Sequence, residues 1–159
     1  MAERFESWSF QATTSGIPAG MTVVVVEDNA DSLEMLCSML KLAGATCHSA
    51  GDGRSALALV DKVSPDVVIL DVGLPHLDGL EVARRIRSNP RHAGVRLIAL
   101  TGYGLASDRQ ATAKAGFDHH LVKPVQPADL FKAISDASNS HPLPARPARS
   151  AAPRAAPPN

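Results

Sequence analysis

Four places in this 159-residue sequence put an ionic or nucleophilic side chain directly after an apolar run. Glu27-Asp28 follows Val23-Val24-Val25-Val26, Asp71 follows Val67-Val68-Ile69-Leu70, Thr101 follows Ile98-Ala99-Leu100, and Lys123-Pro124 follows Leu121-Val122. Each alone is a weak signal, because acids often cap helices and a single lysine is usually solvated surface. Gathered at one rim, the carboxylates would repel one another, and a hard divalent cation with oxygen ligands is the natural relief. Magnesium fits best, with manganese the alternative, because it takes one or two protein carboxylates, keeps several waters and accepts a phosphate oxygen. A dication beside a carboxylate, an ammonium and a hydroxyl is the equipment of phosphoryl transfer, with Asp71 as the oxygen nucleophile.

That chemistry requires the four segments to end side by side. Thr22 to Val26 is a continuous β-branched run, as expected of a strand covered on both faces. A helix is expected from Ala30 to Ala43, with Leu33, Leu36, Leu40 and Ala43 inward at spacings of three and four and Gly44 as a left-handed stop. The alternation repeats as strand Ala45 to Ala50 and helix Arg54 to Val63, strand Asp66 to Leu70 and helix Gly79 to Ser88, then strand Arg96 to Leu100 and helix Ser107 to Ala115 before Gly116. Strand His119 to Val122 and helix Ala128 to Ala137 complete it, the latter with Leu130, Ile134 and Ala137 inward. Five β/α units imply an α/β fold: a doubly wound, five-stranded parallel sheet with right-handed crossovers. In such folds, active groups collect beyond the carboxyl ends of the strands.

The composition agrees and excludes other classes. The chain is 45% hydrophobic but only 4% aromatic, so its core is aliphatic. Sixteen basic and sixteen acidic residues cancel, which removes the broad positive field of a nucleic-acid binder. No stretch has the roughly 18 consecutive apolar residues of a membrane helix, and the first twenty residues lack a signal-peptide core, so a cytoplasmic protein without membrane insertion is expected. Residues 1–20 are expected to form a polar, flexible extension carrying Phe5, Trp8 and Phe10, residues 21–139 the domain, and residues 140–159 a disordered Pro/Ala/Arg-rich tail. Cys37 and Cys47 have neither C-x-x-C nor metal-ligand spacing and read as buried free thiols. His119 and His120, adjacent on a strand, would face opposite ways and share no metal.

The ordered set Val23 to Asp28, Val67 to Pro75 with Asp78-Gly79, Ile98 to Gly102 and Leu121 to Pro124 resembles the receiver domain of bacterial two-component response regulators, over about Met21 to Asn139. The resemblance implies the flavodoxin-like strand order 2-1-3-4-5 and an Asp71 that accepts a phosphoryl group from a histidine kinase or histidine phosphotransfer protein. It implies magnesium held by Asp28 and Asp71, by Glu27 through water and by the backbone carbonyl of Gly73. It implies Lys123 pairing with the phosphoryl oxygens, Thr101 swinging to bond one of them, Gly102 offering its N–H, and Pro124 as a cis-proline aiming Lys123 inward. The loop Gly102-Tyr103-Gly104 would follow the added charge, and the alanine-rich fourth helix would shift with it. The changed protein-binding surface, also a candidate homodimer face, would comprise the fourth helix, fifth strand and fifth helix.

Two positions depart from the family pattern. His120 stands where many receivers carry a rotating Tyr or Phe, and packing is the expected role, with hydrogen bonding and pH sensitivity as the alternative. Gly73 leaves nothing two residues after Asp71 to guide or block water, while Tyr103 could shield an acyl phosphate. Because Gly73 also removes the second acid of an aspartyl-phosphate phosphatase, a signalling domain rather than an enzyme is expected. It would act as a single-domain regulator on a downstream protein not identifiable from sequence. A constitutive interaction module with vestigial phosphorylation is the alternative. Glu27-Asp28-Asn29-Ala30, where a glycine-rich loop would be needed, disfavours a dinucleotide-binding site.

Overall fold

The computed structural model of the chain describes residues 17–18, 20–102 and 106–140. Expectations for the first sixteen residues, for Tyr103 and for the tail from residue 141 lie outside the described residues. Five strands, β1 (Thr22–Val26), β2 (Thr46–Ala50), β3 (Val67–Asp71), β4 (Arg96–Thr101) and β5 (His119–Val122), alternate with five helices. The helices are α1 (Ala30–Leu42), α2 (Gly53–Val63), α3 (Gly79–Ser88), α4 (Ala106–Ala115) and α5 (Pro127–Ser140). The strands are all parallel, in the order β2-β1-β3-β4-β5. Among the described residues no helix is long and apolar enough to cross a membrane.

Burial follows position in the sheet. Every residue of β1, β3 and β4 is buried, which is why these strands are continuous apolar runs; the edge strands β2 and β5 are only partly covered and carry Thr, His and Ser. Val24, Val26, Val68 and Leu70 point into a cluster with Ala56, Val60, Val82 and Ile86 of α2 and α3. Their neighbours Val23, Val25, Val67 and Ile69 point the other way, to Leu36 and Leu40 of α1 and Leu130 and Ile134 of α5. Ile17 and Met21 belong to this second cluster, so the packed unit reaches back to Ile17. Asn29, Asp52 and Asp78 start α1, α2 and α3 as N-caps, each accepting the N–H three residues on.

Some boundaries differ from the sequence reading. β3 begins one residue later and includes Asp71, which pairs with Leu100, while the Asp66 carboxylate accepts the Thr22 N–H at 2.8 Å. β2 begins at Thr46 and α1 ends at Leu42, with Ala43 as the cap and Gly44 at φ 92°, the left-handed stop. α5 starts at Pro127, where a proline N–H is not needed, and runs to Ser140. A 3-10 turn at Pro90–His92 precedes β4.

The register makes the rim. Val26 pairs with Leu70, Asp71 with Leu100, and Thr101 with Val122, so Glu27, Asp71, Thr101 and Lys123 leave the sheet at the same end. Backbone bonds continue the ladder there: Val72 N–H reaches Leu100 O at 2.9 Å and Lys123 N–H reaches Thr101 O at 2.7 Å.

Candidate functional site

Three carboxylates and one ammonium converge on this rim. One oxygen each from Glu27, Asp28 and Asp71 lies within 4.8 Å of the others. Lys123 Nζ sits between two of them, 2.7 Å from Glu27 Oε2 and 2.7 Å from Asp71 Oδ2. The remaining oxygens of that pair are held by backbone: Asn29 N–H donates to Glu27 Oε1 at 3.1 Å, and Gly73 N–H to Asp71 Oδ1 at 2.8 Å. Glu27 is buried and Asp28 exposed, as successive residues leaving a strand on opposite sides must be. The Lys123–Pro124 peptide is cis.

Charge is unbalanced in this cluster. Burial pushes the Glu27 carboxyl above its ordinary value and the Asp71 charge adds to the push, while bonds from Lys123 and the Asn29 N–H oppose it. Burial alone would lower the Lys123 ammonium, but hydrogen bonds to Asp71 and Glu27 override it and hold the pKa above the usual lysine value. Three acids against one fixed cation leave room for a further positive charge, and an all-oxygen set with an exposed carboxylate suits a partly hydrated magnesium ion. Among the described residues this is the one cluster of three or more metal-ligating side chains, and neither His119 nor His120 belongs to it.

Two clefts flank the carboxylates. One of about 190 Å³ is lined by Asp71, Gly73, Thr101, Gly102 and Thr112; the other, of about 370 Å³, by Glu27, Ser32, Met35, Gly102 and Lys123. Gly79, the first residue of α3, lets that helix start against the nucleophile's own backbone. A Cβ there would lie 2.3 Å from Asp71 O. Gly73 is different, since a Cβ would meet Asp71 Oδ1 at an ordinary 3.5 Å.

His120 does more than pack, which corrects the packing role expected for it. Its Nε2 lies 2.9 Å from Thr101 Oγ1 and its Nδ1 3.2 Å from Thr112 Oγ1 on α4. The proton positions follow from counting donors. Thr112 spends its hydroxyl proton on Arg109 O at 3.0 Å, so toward His120 it offers only a lone pair and Nδ1 must carry the hydrogen. In the neutral ring Nε2 is then the acceptor, and Thr101 donates to it. Burial lowers the His120 pKa, the charge of Arg109 adds to this and Asp108 opposes it, which keeps the ring neutral. Thr112, buried, lining the cleft beside Asp71 and bonded to His120, was missed from sequence, where nothing local distinguishes it from any helical threonine. Asn29, which both caps α1 and orients Glu27, was missed too; the acid-acid-Asn run before a helix was its signal.

Gly102, Thr101, Asp71 and Lys123 thus come together as the sequence placed them, and Asp28 and Glu27 join them. The cysteines are free, as expected, but only partly buried instead of fully so, and they touch.

A model of the response regulator receiver domain matches residues 23–135. An uncharacterized 14.6 kDa protein of Leptolyngbya boryana is 36% identical over 116 residues, which are 73% of this chain and 88% of that protein. The transcriptional regulatory protein TcrA of Mycobacterium tuberculosis is 36% identical over 132 residues, 83% of this chain, and the chain spans only 51% of its length. Among solved structures, the receiver domain of the sensor histidine kinase PA1611 from Pseudomonas aeruginosa, with magnesium coordinated in its active site cleft, superposes with a TM-score of 0.70 at 30% identity, covering 76% of this chain and 99% of that one.

Proposed function

The chain belongs to the response regulator receiver family, and from that premise we propose that it accepts a phosphoryl group on Asp71 from a histidine kinase or histidine phosphotransfer protein and signals through an altered protein-binding surface. The observation that carries this reading is Lys123 Nζ held 2.7 Å from both Asp71 and Glu27 inside a three-carboxylate cluster. In the transfer, an Asp71 carboxylate oxygen bonds to phosphorus as the donor's N–P bond breaks, and the donor imidazole leaves with the electron pair. Lys123 turns from Asp71 toward the incoming phosphoryl oxygens and offsets their charge. Magnesium, held by Asp28 and Asp71, by Glu27 through water and by the Gly73 carbonyl, would supply the remaining positive charge; manganese has the same ligand preferences. Gly73 keeps the approach to Asp71 open because no side chain stands over it.

Thr101 carries the signal onward. Its hydroxyl proton is given to His120 Nε2 in the resting protein. A phosphoryl oxygen beside Asp71 is a charged and therefore stronger acceptor, so Thr101 would leave His120 for it, helped by the Gly102 N–H. The imidazole, still bonded to Thr112, would then lose its anchor on β4, and α4 with it. The responding face is α4, β5 and α5, where Val122 is already exposed, and it is the proposed contact for a target protein or a second copy.

Incubation with acetyl phosphate and magnesium should add one phosphoryl group by intact mass, and Asp71→Asn should abolish it. Undiminished labelling of that variant at the same site would end the proposal.

A further inference from the structure

Cys37 on α1 and Cys47 on β2 take no part in the proposed phosphotransfer. They are separated by ten positions in sequence, yet Cys47 Sγ lies 2.7 Å from Cys37 Sγ. Cys47 pairs with Val23 across the β1–β2 ladder, and both cysteines pack against the apolar cluster that α1 shares with the sheet. A depression of about 360 Å³ opens onto the pair, lined also by Leu33, Glu34, Lys41 and Ser49, so a small reagent has access. Metal binding does not account for the arrangement, because no third ligating side chain joins the two sulfurs among the described residues.

We propose that Cys37 and Cys47 are an oxidation site that closes to a reversible intramolecular disulfide, stapling α1 to the edge strand β2. The oxidant is a hydroperoxide, with hydrogen peroxide the simplest case. The Cys37 thiolate attacks one peroxide oxygen and the O–O bond breaks. Cys37 becomes a sulfenic acid, and the released hydroxide takes up the proton that Cys37 had lost, giving water. The Cys47 sulfur then attacks the sulfenic sulfur, the S–S bond forms, and the S–O bond breaks to release a second water with the Cys47 proton. Two thiols are oxidised as one peroxide is reduced. The order of attack follows from position: Cys37 stands one helical turn from Lys41, whose ammonium lines the same depression, and burial pushes the Cys47 thiol up, so Cys37 reacts first. In a reducing compartment such a bond is transient, as a sensor requires.

The test uses the full chain, reduced and then exposed to hydrogen peroxide, without any phosphoryl donor, so its outcome is separate from that of the Asp71 reading. The mass should fall by two hydrogens, both thiols should disappear from titration with Ellman's reagent, and dithiothreitol should restore them. The melting temperature should rise by roughly 5 °C or more on oxidation. Cys47→Ser should stop at the sulfenic acid and label with dimedone at Cys37, whereas Cys37→Ser should not label. Persistence of both thiols after peroxide, or a disulfide found between two chains on a non-reducing gel, would overturn the proposal; the wild-type mass decides this even if a serine variant folds poorly.

Discussion

Replacing Asp28 by asparagine should stabilise the metal-free protein while removing its response to magnesium. The carboxylate oxygens of Glu27, Asp28 and Asp71 lie within 4.8 Å of one another, and Lys123 is bonded to the other two acids. Asp28 therefore faces two negative charges and one positive, a net of one negative charge nearby. At that separation the repulsion is about 0.9 kcal/mol in water and about 3.5 kcal/mol at an effective dielectric of 20. Exposure of Asp28 selects the lower end, so the variant should gain about 1 kcal/mol and melt roughly 3 °C higher in EDTA. Wild type at magnesium tenfold above its dissociation constant should gain about 1.4 kcal/mol, and the variant, lacking a direct ligand, far less at the same concentration. Thermal denaturation followed by circular dichroism, with EDTA and with magnesium, gives all four values. A variant that melts below wild type in EDTA, or that retains the full magnesium shift, would refute the view that these acids are mutually destabilising until a dication joins them.

The remaining predictions concern the groups around this cluster. Lys123→Met leaves buried Glu27 without its cation and should cost about 1 to 3 kcal/mol at neutral pH, less than a fully buried pair because the lysine is partly exposed; an unchanged urea midpoint would contradict it. Gly79→Ala drives a Cβ to 2.3 Å from Asp71 O and should cost roughly 1 to 3 kcal/mol and slow phosphorylation by acetyl phosphate, with wild-type behaviour in both showing that α3 moves freely. His120 has a folded pKa below its ordinary 6.5, so between the two values the unfolded chain binds more protons. Its contribution is present above pH 6.5 and lost as pH falls through the folded value. His120→Phe should accordingly show a smaller loss of urea midpoint than wild type between about pH 7.5 and 5.5, and equal losses would remove His120 from the account.

The sheet was legible in sequence because burial on both faces demands uninterrupted apolar runs, and β1, β3 and β4 are such runs. The residues directly after them were legible for the same reason: a parallel sheet of short strands brings its carboxyl ends to one rim. Edges and ends were less so. Asp66 reads as a strand residue, yet its carboxylate ties down the Thr22 N–H 44 positions away, a bond that local pattern cannot announce. α2 ends at Ser64 in the left-handed region, without the glycine that marked α1 and α4. Cys37 and Cys47 each look like an ordinary small apolar residue on its own element, and only the packing of α1 on β2 makes them a pair.

His120 shows most clearly where sequence stops and geometry begins. A histidine in place of an aromatic ring suggests only that something else fills the space. Its two nitrogens face different hydroxyls, and with the Thr112 proton given to Arg109 O the ring donates through Nδ1 and accepts through Nε2. In the resting state the Thr101 hydroxyl lies 2.9 Å from His120 Nε2, and under the proposed phosphorylation a charged oxygen at Asp71 would compete for its proton. A phenylalanine at this position would give Thr101 nothing to leave. A protonated histidine would reverse the bond, with Nε2–H donating to the Thr101 oxygen, so acid would free the Thr101 proton while leaving the contact in place, whereas phosphorylation would draw that proton to a new acceptor.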